Sequence, residues 1–200
     1  MKHTVRTFVA VEIDPATRQR AGQLVEELSA VPADVKWVEA HNLHLTLKFL
    51  GEVASQEIPR VCEAVRLGAA EVEPFDLELR GAGAFPNTRR PRTVWLGVGA
   101  GQEEMVTLHG KIEEPLRKLG FRPEHRRYES HLTIGRVRRG GPGLAELGQL
   151  LQQHADFLAG RVNVSEVVLF SSQLGREGPT YEALSRARLG GAQPDAGPRG

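Results

Sequence analysis

Two short stretches, His44-Leu45-Thr46-Leu47 and His131-Leu132-Thr133-Ile134, repeat nearly the same sequence in the two halves of the chain. Both are followed by further apolar residues, and both patterns are typical of strands. Because alternate side chains of a strand share a face, each stretch presents a His and a Thr on one side and two aliphatic residues on the other. Two such strands side by side would line one cleft with two imidazoles and two hydroxyls. Those groups are sufficient for metal-free acid–base chemistry on a phosphate ester.

A single His-x-Thr strand is common in sheets with a half-exposed polar face, but its repetition is not. An internal repeat of residues able to do chemistry is better explained by a duplicated lobe than by chance. A cation follows each copy, Lys48 in the first half and Arg136 in the second. We therefore predict one site built from two related halves. The alternative is a fold that has kept the repeat and lost its activity.

The rest of the chain alternates segments typical of strands and of helices. The predicted strands lie near 5–12, 35–38, 43–50, 75–81, 93–98, 130–137, 161–170 and 180–188. The predicted helices lie near 15–31, 57–69, 102–119 and 144–155. Asp14 is a good N-cap and Pro15 a good first residue for the first of these helices. We expect Gly51 to end the strand that contains His44, and residues 82–92 to form a loop.

These elements predict an α+β fold with two pseudo-symmetric lobes. Each lobe should have a mostly antiparallel sheet, and the two sheets should face one another across a central cleft, with the helices outside. We expect residues 1–188 to form this single bilobal domain. Residues 189–200 are rich in Gly, Ala and Pro, have little apolar surface to bury, and are predicted to be a disordered tail.

Composition limits the class of protein further. The 200 residues carry a net charge of +1, so the overall charge does not indicate a nucleic-acid binder. The chain has no apolar run long enough to span a bilayer, and we expect no secretory signal. The single cysteine, Cys62, excludes an intrachain disulfide and fits a reducing compartment, so we expect a cytoplasmic protein. We also expect a monomer. The stretch 117–139 is basic and brackets the second motif, which suggests a rim that attracts anions.

The residue types around the two motifs suggest specific roles. Histidine titrates near neutrality, so one imidazole of a pair can act as base and the other as acid. The hydroxyls of Thr46 and Thr133 suit phosphoryl oxygens. Arg136 follows His131 by an odd number of residues, so a regular strand would turn it away from the cleft, whereas a bulge could redirect it. Four aromatic side chains could stack on a base, and Phe85 is preferred among Phe85, Trp37, Phe49 and Tyr128. No metal-ligand spacing accompanies the histidines, and we expect neither metal nor cofactor.

At these residues the chain resembles the two-histidine phosphoesterase superfamily, and within it the bacterial and archaeal RNA 2′,3′-cyclic phosphodiesterases, also known as 2′-5′ RNA ligases. The likeness runs from about residue 5 to residue 186. The segments that carry it are 6–11, 37–38, 42–51, 83–86, 133–136, 167–172 and 178–181, together with Arg126. Ser130 departs from the pattern, since proline is expected before the second motif. This departure should affect how the chain enters the strand more than the chemistry.

The resemblance implies hydrolysis of a 2′,3′-cyclic phosphate at an RNA end, or on a nucleotide, to a 2′-phosphomonoester. It implies that His131 is the general base that activates water and that His44 is the general acid that protonates the leaving 3′ oxygen. Thr46, Thr133, Arg136 and Phe85 would then bind the substrate. The near-symmetry of the two motifs does not by itself decide which histidine is the acid.

The sequence is compatible with three other functions. The same residues could join RNA ends through a 2′-5′ linkage, because the reaction is reversible. The substrate could instead be a small cyclic nucleotide or a cyclic ADP-ribose phosphate. A mononucleotide substrate predicts a shallow salt dependence, and an RNA substrate a steep one. The third alternative is a non-catalytic module that binds RNA ends, which would tolerate the loss of either histidine.

Overall fold

The computed structural model describes residues 3–124, 126–175 and 178–191, and these form nine strands and four α-helices. The strands are β1 (Thr4–Glu12), β2 (Val35–Trp37), β3 (His44–Ala54), β4 (Phe75–Phe85), β5 (Thr93–Val98), β6 (His131–Val137), β7 (Leu158–Val164), β8 (Glu166–Leu174) and β9 (Pro179–Arg188). The helices are α1 (Pro15–Ser29), α2 (Ile58–Ala69), α3 (Gln102–Lys118) and α4 (Leu144–Gln153). The predicted α+β class is confirmed.

The nine described strands form one curled sheet in the order β7-β4-β5-β6-β3-β1-β8-β9, with β2 beside β6. The pairings between these strands are all antiparallel. Apart from β2, each half of the sheet has four strands, and the motif strand lies innermost in each. The two halves meet where β3 pairs with β6 at Leu45 and Leu132. The two predicted sheets are therefore halves of one continuous sheet, because the motif strands pair with each other and leave no free edges in the middle.

The core lies between the sheet and the helices. The aliphatic residues of both motifs point into it: Leu45, Leu132 and Ile134 are completely buried, and Leu47 nearly so. The helices contribute residues that are equally buried, including Leu24, Leu108 and Leu151. A second, smaller cluster on the other face of the sheet contains Phe8, Ala10, Val168 and Phe170, with Tyr181 against it. The motif histidines belong to this second face.

Helix α1 begins as its sequence predicts. The Asp14 carboxylate accepts hydrogen bonds from the Thr17 backbone N–H (2.9 Å) and the Thr17 hydroxyl (2.6 Å), and Pro15 is the first helical residue. These bonds satisfy a backbone donor that the helix itself leaves free. Proline needs no such partner at this position.

Four predicted boundaries are wrong. Strand β3 continues through Gly51 to Ala54, because Gly51 takes a φ of +74° at a β-bulge, a conformation that glycine adopts without strain. Residues 82–85 belong to β4 and pair with β5. The predicted strand at 161–170 is two strands, β7 and β8. The predicted tail starts too early, since Leu189 is only 1% exposed; residues 192–200 lie outside the described residues.

Candidate active site

Both motif histidines are held in the same way. The Nδ1 atom of His44 lies 2.7 Å from the Asn42 carbonyl oxygen, and the Nδ1 atom of His131 lies 2.7 Å from the Glu129 carbonyl oxygen. A carbonyl oxygen only accepts hydrogen bonds, so each Nδ1 carries a proton and donates it. This bond fixes the tautomer and leaves both Nε2 atoms free for proton transfer. The structure therefore gives the two halves of the repeat identical local chemistry.

The register of the sheet sets each histidine against the other half of the molecule. Leu45 pairs with Leu132, and the strands are antiparallel. Continuing this register places His44 opposite Thr133 and His131 opposite Thr46. Side chains that lie opposite each other in antiparallel strands share a face. All four polar residues are half-buried on the face away from the core, so the structure brings them together as the sequence predicts.

A β-bulge in β6 redirects Arg136 toward this face. Val94 pairs with Gly135 and Trp95 with Thr133, so Ile134 is an extra residue in the ladder. Ile134 and Gly135 are consecutive and both buried, while Arg136 is exposed. The alternation has shifted by one residue, as a bulge requires. The odd spacing between His131 and Arg136 therefore does not turn the guanidinium away.

A β-bulge in β3 has the opposite effect on Lys48 and turns its side chain away from the cleft. Val9 pairs with Lys48 and Ala10 with Thr46, so Leu47 is the extra residue. Lys48 is then buried on the core face, and Phe49, which is 58% exposed, takes the place that corresponds to Arg136. The two cations that follow the motifs are thus not equivalent, because they stand four and five residues after their histidines.

Lys48 belongs to a polar network behind the site. Its side chain is 2% exposed, and its ammonium group lies 2.6 Å from Glu113 Oε1 and donates to the Arg122 carbonyl oxygen at 3.0 Å. In the same region the Tyr128 hydroxyl donates to the Thr46 carbonyl oxygen at 3.0 Å. These contacts join β3 to the segment that leads into β6. They supplement the pairing of Leu45 with Leu132 between the two halves.

Aromatic side chains surround both histidines. Around His44, the ring centroid of Phe8 lies at 4.8 Å and that of Tyr181 at 5.3 Å. The Phe85 ring meets the His131 ring edge-on at 5.0 Å, which places the predicted base-stacking residue at the site. Phe8 and Tyr181 fall in segments that carry the family resemblance, but their types and spacing gave no sign of a role.

Each histidine also lines a cavity. The larger cavity, of about 350 Å³, lies beside His131 and is lined by Phe85, Trp95, Arg80 and Ser130, among others. The smaller cavity, of about 130 Å³, lies beside His44 and is lined by Asn42, Phe170 and Tyr181, among others. Trp95 belongs to the larger cavity because Gly83 opposite it has no side chain in the way of the indole ring. The need for glycine at position 83 could be found only from the pairing of β4 with β5.

Both imidazoles are biased toward the neutral form. Burial lowers the pKa of His44 below its ordinary value of 6.5, against the opposing effect of the hydrogen bond to Asn42. Burial also lowers the pKa of His131, and the positive charge of Arg136 lowers it further. Arg136 and Arg6 act on the pKa of Tyr181 as well, which burial raises. The surroundings of the cleft therefore favour the neutral form of both imidazoles.

These shifts predict an acidic pH optimum. A site that needs one protonated and one neutral histidine is most populated between the two macroscopic pKa values. Both values lie below 6.5, so we expect kcat/KM of the free enzyme to peak below pH 6.5 and to fall about tenfold per pH unit above it, as the acid loses its proton. Initial rates from pH 4.5 to 9 would check this, and a kcat/KM that rises between pH 6.5 and 8 would contradict it.

The described residues show neither a cluster of metal ligands nor a membrane-spanning helix. Within residues 3–124, 126–175 and 178–191, no group of three or more His, Cys, Asp or Glu side chains is placed to hold a metal ion. In the same ranges, none of the helices has the length and apolar character of a membrane span. His125, in the basic stretch, lies outside the described residues.

Comparison of the sequence with known proteins agrees with the geometry. The family model described as LigT like Phosphoesterase matches the chain twice, over residues 11–95 and 96–181. An RNA 2′,3′-cyclic phosphodiesterase of Methanothermobacter thermautotrophicus is 40% identical over 185 residues, which cover 92% of this chain and 99% of that protein. One from Archaeoglobus fulgidus is 39% identical over 90% of this chain and 98% of its own length.

Solved structures with the same fold include a crystal structure of a Thermus thermophilus protein. It has a TM-score of 0.76 and 27% identity, and the match covers 94% of this chain and 100% of that one. E. coli LigT complexed with 3′-AMP has a TM-score of 0.71 over 94% of this chain and 99% of its own; at 24% identity it supports the fold alone. Each match contains one motif strand, β3 in residues 11–95 and β6 in residues 96–181, whereas each half of the sheet takes strands from both matched segments.

Proposed function

The chain belongs to the LigT-like phosphoesterase family, and on that premise we propose that it hydrolyses the 2′,3′-cyclic phosphate at an RNA end to a 2′-phosphomonoester. One observation carries the proposal. Two histidines on adjacent strands donate through Nδ1 to backbone carbonyls and present free Nε2 atoms on the same face. This arrangement suits a reaction that takes a proton on one side of a phosphorus atom and gives one on the other.

In the proposed reaction His131 is the base and His44 the acid. The neutral Nε2 of His131 removes a proton from water as the water oxygen forms a bond to phosphorus. The bond from phosphorus to the 3′ oxygen breaks, and the protonated Nε2 of His44 gives its proton to that oxygen. The 2′ oxygen keeps the phosphate. Proton exchange with solvent then returns His44 to its charged form and His131 to its neutral form.

Burial lowers the pKa of both histidines, and the feature that supports this assignment is the charge of Arg136 beside His131. The charge of Arg136 lowers the pKa of His131, which favours the neutral imidazole that a base needs. Both histidines are desolvated, so binding an anionic phosphodiester nearby would favour a protonated imidazole. His44 would receive its proton in this way when the substrate binds. We therefore expect the pH optimum of kcat to lie above that of kcat/KM.

The remaining site residues are proposed to bind the substrate. The hydroxyls of Thr46 and Thr133 would donate to the non-bridging phosphoryl oxygens from opposite halves of the site. The Arg136 guanidinium, on the same face, would offset the charge that these oxygens gain in the transition state. Phe85 would contact the terminal base in the cavity beside His131, together with the half-buried Trp95.

The proposal also covers the organisation and setting of the protein. We propose that the two matched segments form one bilobal domain that includes the buried Leu189, and that a single copy suffices for activity. Cys62, half-buried in α2, stays consistent with the predicted reducing cytoplasm. The expected independence from metals and cofactors is part of the following test.

The function is tested with an RNA oligonucleotide that ends in a 2′,3′-cyclic phosphate, incubated with the enzyme in EDTA. The expected product gains one water and carries a 2′-phosphate, identified by mass and by ³¹P NMR against synthetic 2′- and 3′-phosphate standards. An oligonucleotide with a linear 3′-phosphate is the control and should stay unchanged. A 3′-phosphate product, joined ends instead of hydrolysis, or turnover that requires a divalent ion would contradict the proposal.

A further inference from the structure

Three segments that are far apart in the sequence lie side by side at one end of the cleft. Residues 34–36, 87–92 and 136–139 are joined through their backbones, and we call them the basic edge. Val35 pairs with Val137, the Arg138 N–H donates to the Asp34 carbonyl oxygen at 2.8 Å, and the Val137 N–H donates to the Arg92 carbonyl oxygen at 3.0 Å. The edge is therefore a continuous piece of structure, although no one stretch of sequence contains it.

The basic edge has a high density of unpaired positive charge. It contains seven exposed cations: Lys36, Arg89, Arg90, Arg92, Arg136, Arg138 and Arg139. Its only acid is Asp34, although the whole chain carries a net charge of +1. None of the seven forms a salt bridge with a carboxylate of the described residues, whereas arginines elsewhere, such as Arg66 and Arg186, do. Charges left without partners in this way leave a strong local field for an anionic ligand.

The loop that carries three of these cations is held in place. The Asn87 side-chain oxygen accepts hydrogen bonds from the backbone N–H groups of Arg89 and Arg90, at 3.1 and 3.0 Å. The Gln152 amide of α4 donates to the Thr88 hydroxyl at 3.1 Å. A ligand that binds here therefore loses little free energy in ordering the backbone of the site.

The basic edge is continuous with the proposed active site. Arg136 belongs to both, and Lys36 lies opposite it across the β2–β6 pair, so both side chains share the face of the motif histidines. Strand β6 continues beyond its pairing with β3 and then pairs with β2, and the basic edge begins there. An RNA strand whose terminal phosphate lies between the two histidines has a polyanionic backbone that must leave the cleft. The basic edge gives that backbone a path lined by cations.

We propose that the basic edge binds the backbone phosphates of the single-stranded RNA just 5′ of the cyclic phosphate. The preferred substrate is then an RNA strand of several nucleotides and not a cyclic mononucleotide. This inference rests on the proposed function and specifies its substrate class. Binding through phosphates carries no base specificity and depends strongly on salt. Among polyanions the geometry favours RNA, because the edge begins at a residue of the phosphate site itself.

The test removes charge from the edge without touching the site. The variant carries Arg90→Gln, Arg138→Gln and Arg139→Gln, all exposed positions. Two substrates with the same terminal nucleotide are compared, 2′,3′-cyclic AMP and a ten-nucleotide RNA ending in it. We expect kcat/KM for the RNA to fall by at least ~10-fold and that for cyclic AMP to change less than ~2-fold. The slope of log(kcat/KM) against log[salt] for the RNA should become shallower by about 2, at ~0.7 per lost phosphate contact.

A matched variant controls for net charge. Arg60→Gln, Arg66→Gln and Lys118→Gln remove the same charge from α2 and α3 and should leave kcat/KM for both substrates within ~2-fold of the wild type.

Equal losses of kcat/KM for the two substrates, or no loss for either, would overturn the proposed RNA path. A wild type that turns over cyclic AMP as efficiently as RNA would also overturn it while leaving the proposed function intact. Failure of the wild type on both substrates would count against the function instead. Anisotropy of a labelled ten-nucleotide RNA with a 3′-OH would still test the path, and unchanged affinity in the edge variant would refute it.

Discussion

Alanine at His131 or at His44 is expected to lower kcat for the cyclic-phosphate RNA by at least ~10²-fold, and toward ~10⁴-fold if each proton transfer contributes fully. Alanine has no group to take the proton from water or to give one to the 3′ oxygen. Steady-state rates on the same oligonucleotide in EDTA would measure the loss.

The two single variants should differ when the leaving group changes. A nucleotide 4-nitrophenyl phosphodiester releases 4-nitrophenolate, which needs no proton to depart. On this substrate the His44→Ala variant should recover most of its activity, because the acid is no longer needed, while His131→Ala should stay inactive. The opposite pattern would exchange the two roles. This experiment decides the assignment that the near-symmetry of the motifs leaves open.

Combining the two histidine substitutions tests whether they act as a unit. If one proton relay requires both groups, the double variant should be little slower than either single variant, as for residues that act together in other enzymes. His154→Ala is the matched control. It removes a histidine that pairs with the exposed Glu27 at 2.9 Å and lines neither of the two cavities. Turnover that survives both motif substitutions would mean that the repeat is not catalytic.

The sequence predicts the pair of motifs because their pattern is local. His and Thr two residues apart in a strand must share a face, and the repeat implies a second copy of the lobe. The pairing of Leu45 with Leu132 could not be predicted in the same way, because it depends on how the two halves meet. It turns two expected sheets into one and sets each histidine opposite a threonine of the other half.

The bulges explain where reasoning from a regular strand fails. Parity alone would turn Arg136 away from the cleft and keep Lys48 on the same face as His44. The extra residues Ile134 and Leu47 reverse both outcomes, and neither residue type signals a bulge. The basic edge could not be predicted from the sequence for a related reason. The sequence shows a basic stretch at 117–139, but Lys36 and the loop at 87–92 join it only through backbone contacts in the fold.

A second large effect is expected at the ion pair behind the site. Replacing Glu113 by alanine should lower the free energy of unfolding by about 3–5 kcal/mol, because it leaves a buried ammonium without its counterion. Lys48 Nζ would keep only the Arg122 carbonyl oxygen, and the Glu124 backbone N–H would lose the acceptor it has at 3.1 Å. Urea denaturation, read as the change in midpoint at constant slope, would measure the loss.

Removing Lys48 and removing Glu113 should lower the free energy of unfolding by different amounts. Lys48 is 2% exposed and Glu113 is 20% exposed, so a stranded Glu113 can reach water whereas a stranded Lys48 cannot. Lys48→Met, which keeps most of the volume, should therefore cost less than Glu113→Ala. The double variant Lys48→Met with Glu113→Leu should recover part of the loss, because it removes both charges together. A double variant as unstable as the sum of the two single variants would show that the charges do not interact.

The pH dependence of stability gives an independent check on the pair. Burial alone would raise the pKa of Glu113, but the hydrogen bonds from Lys48 and from the Glu124 backbone outweigh it, and the folded-state pKa is lowered. A lowered pKa contributes stability that is present above the ordinary value of a glutamate and lost as the pH falls through the folded-state value. The difference in stability between the wild type and Lys48→Met should therefore shrink in acid.

Because Lys48 also binds the segment that leads to β6, Lys48→Met should lower kcat more than it raises KM. A variant that is destabilised but keeps the wild-type kcat when folded would limit the pair to a structural role.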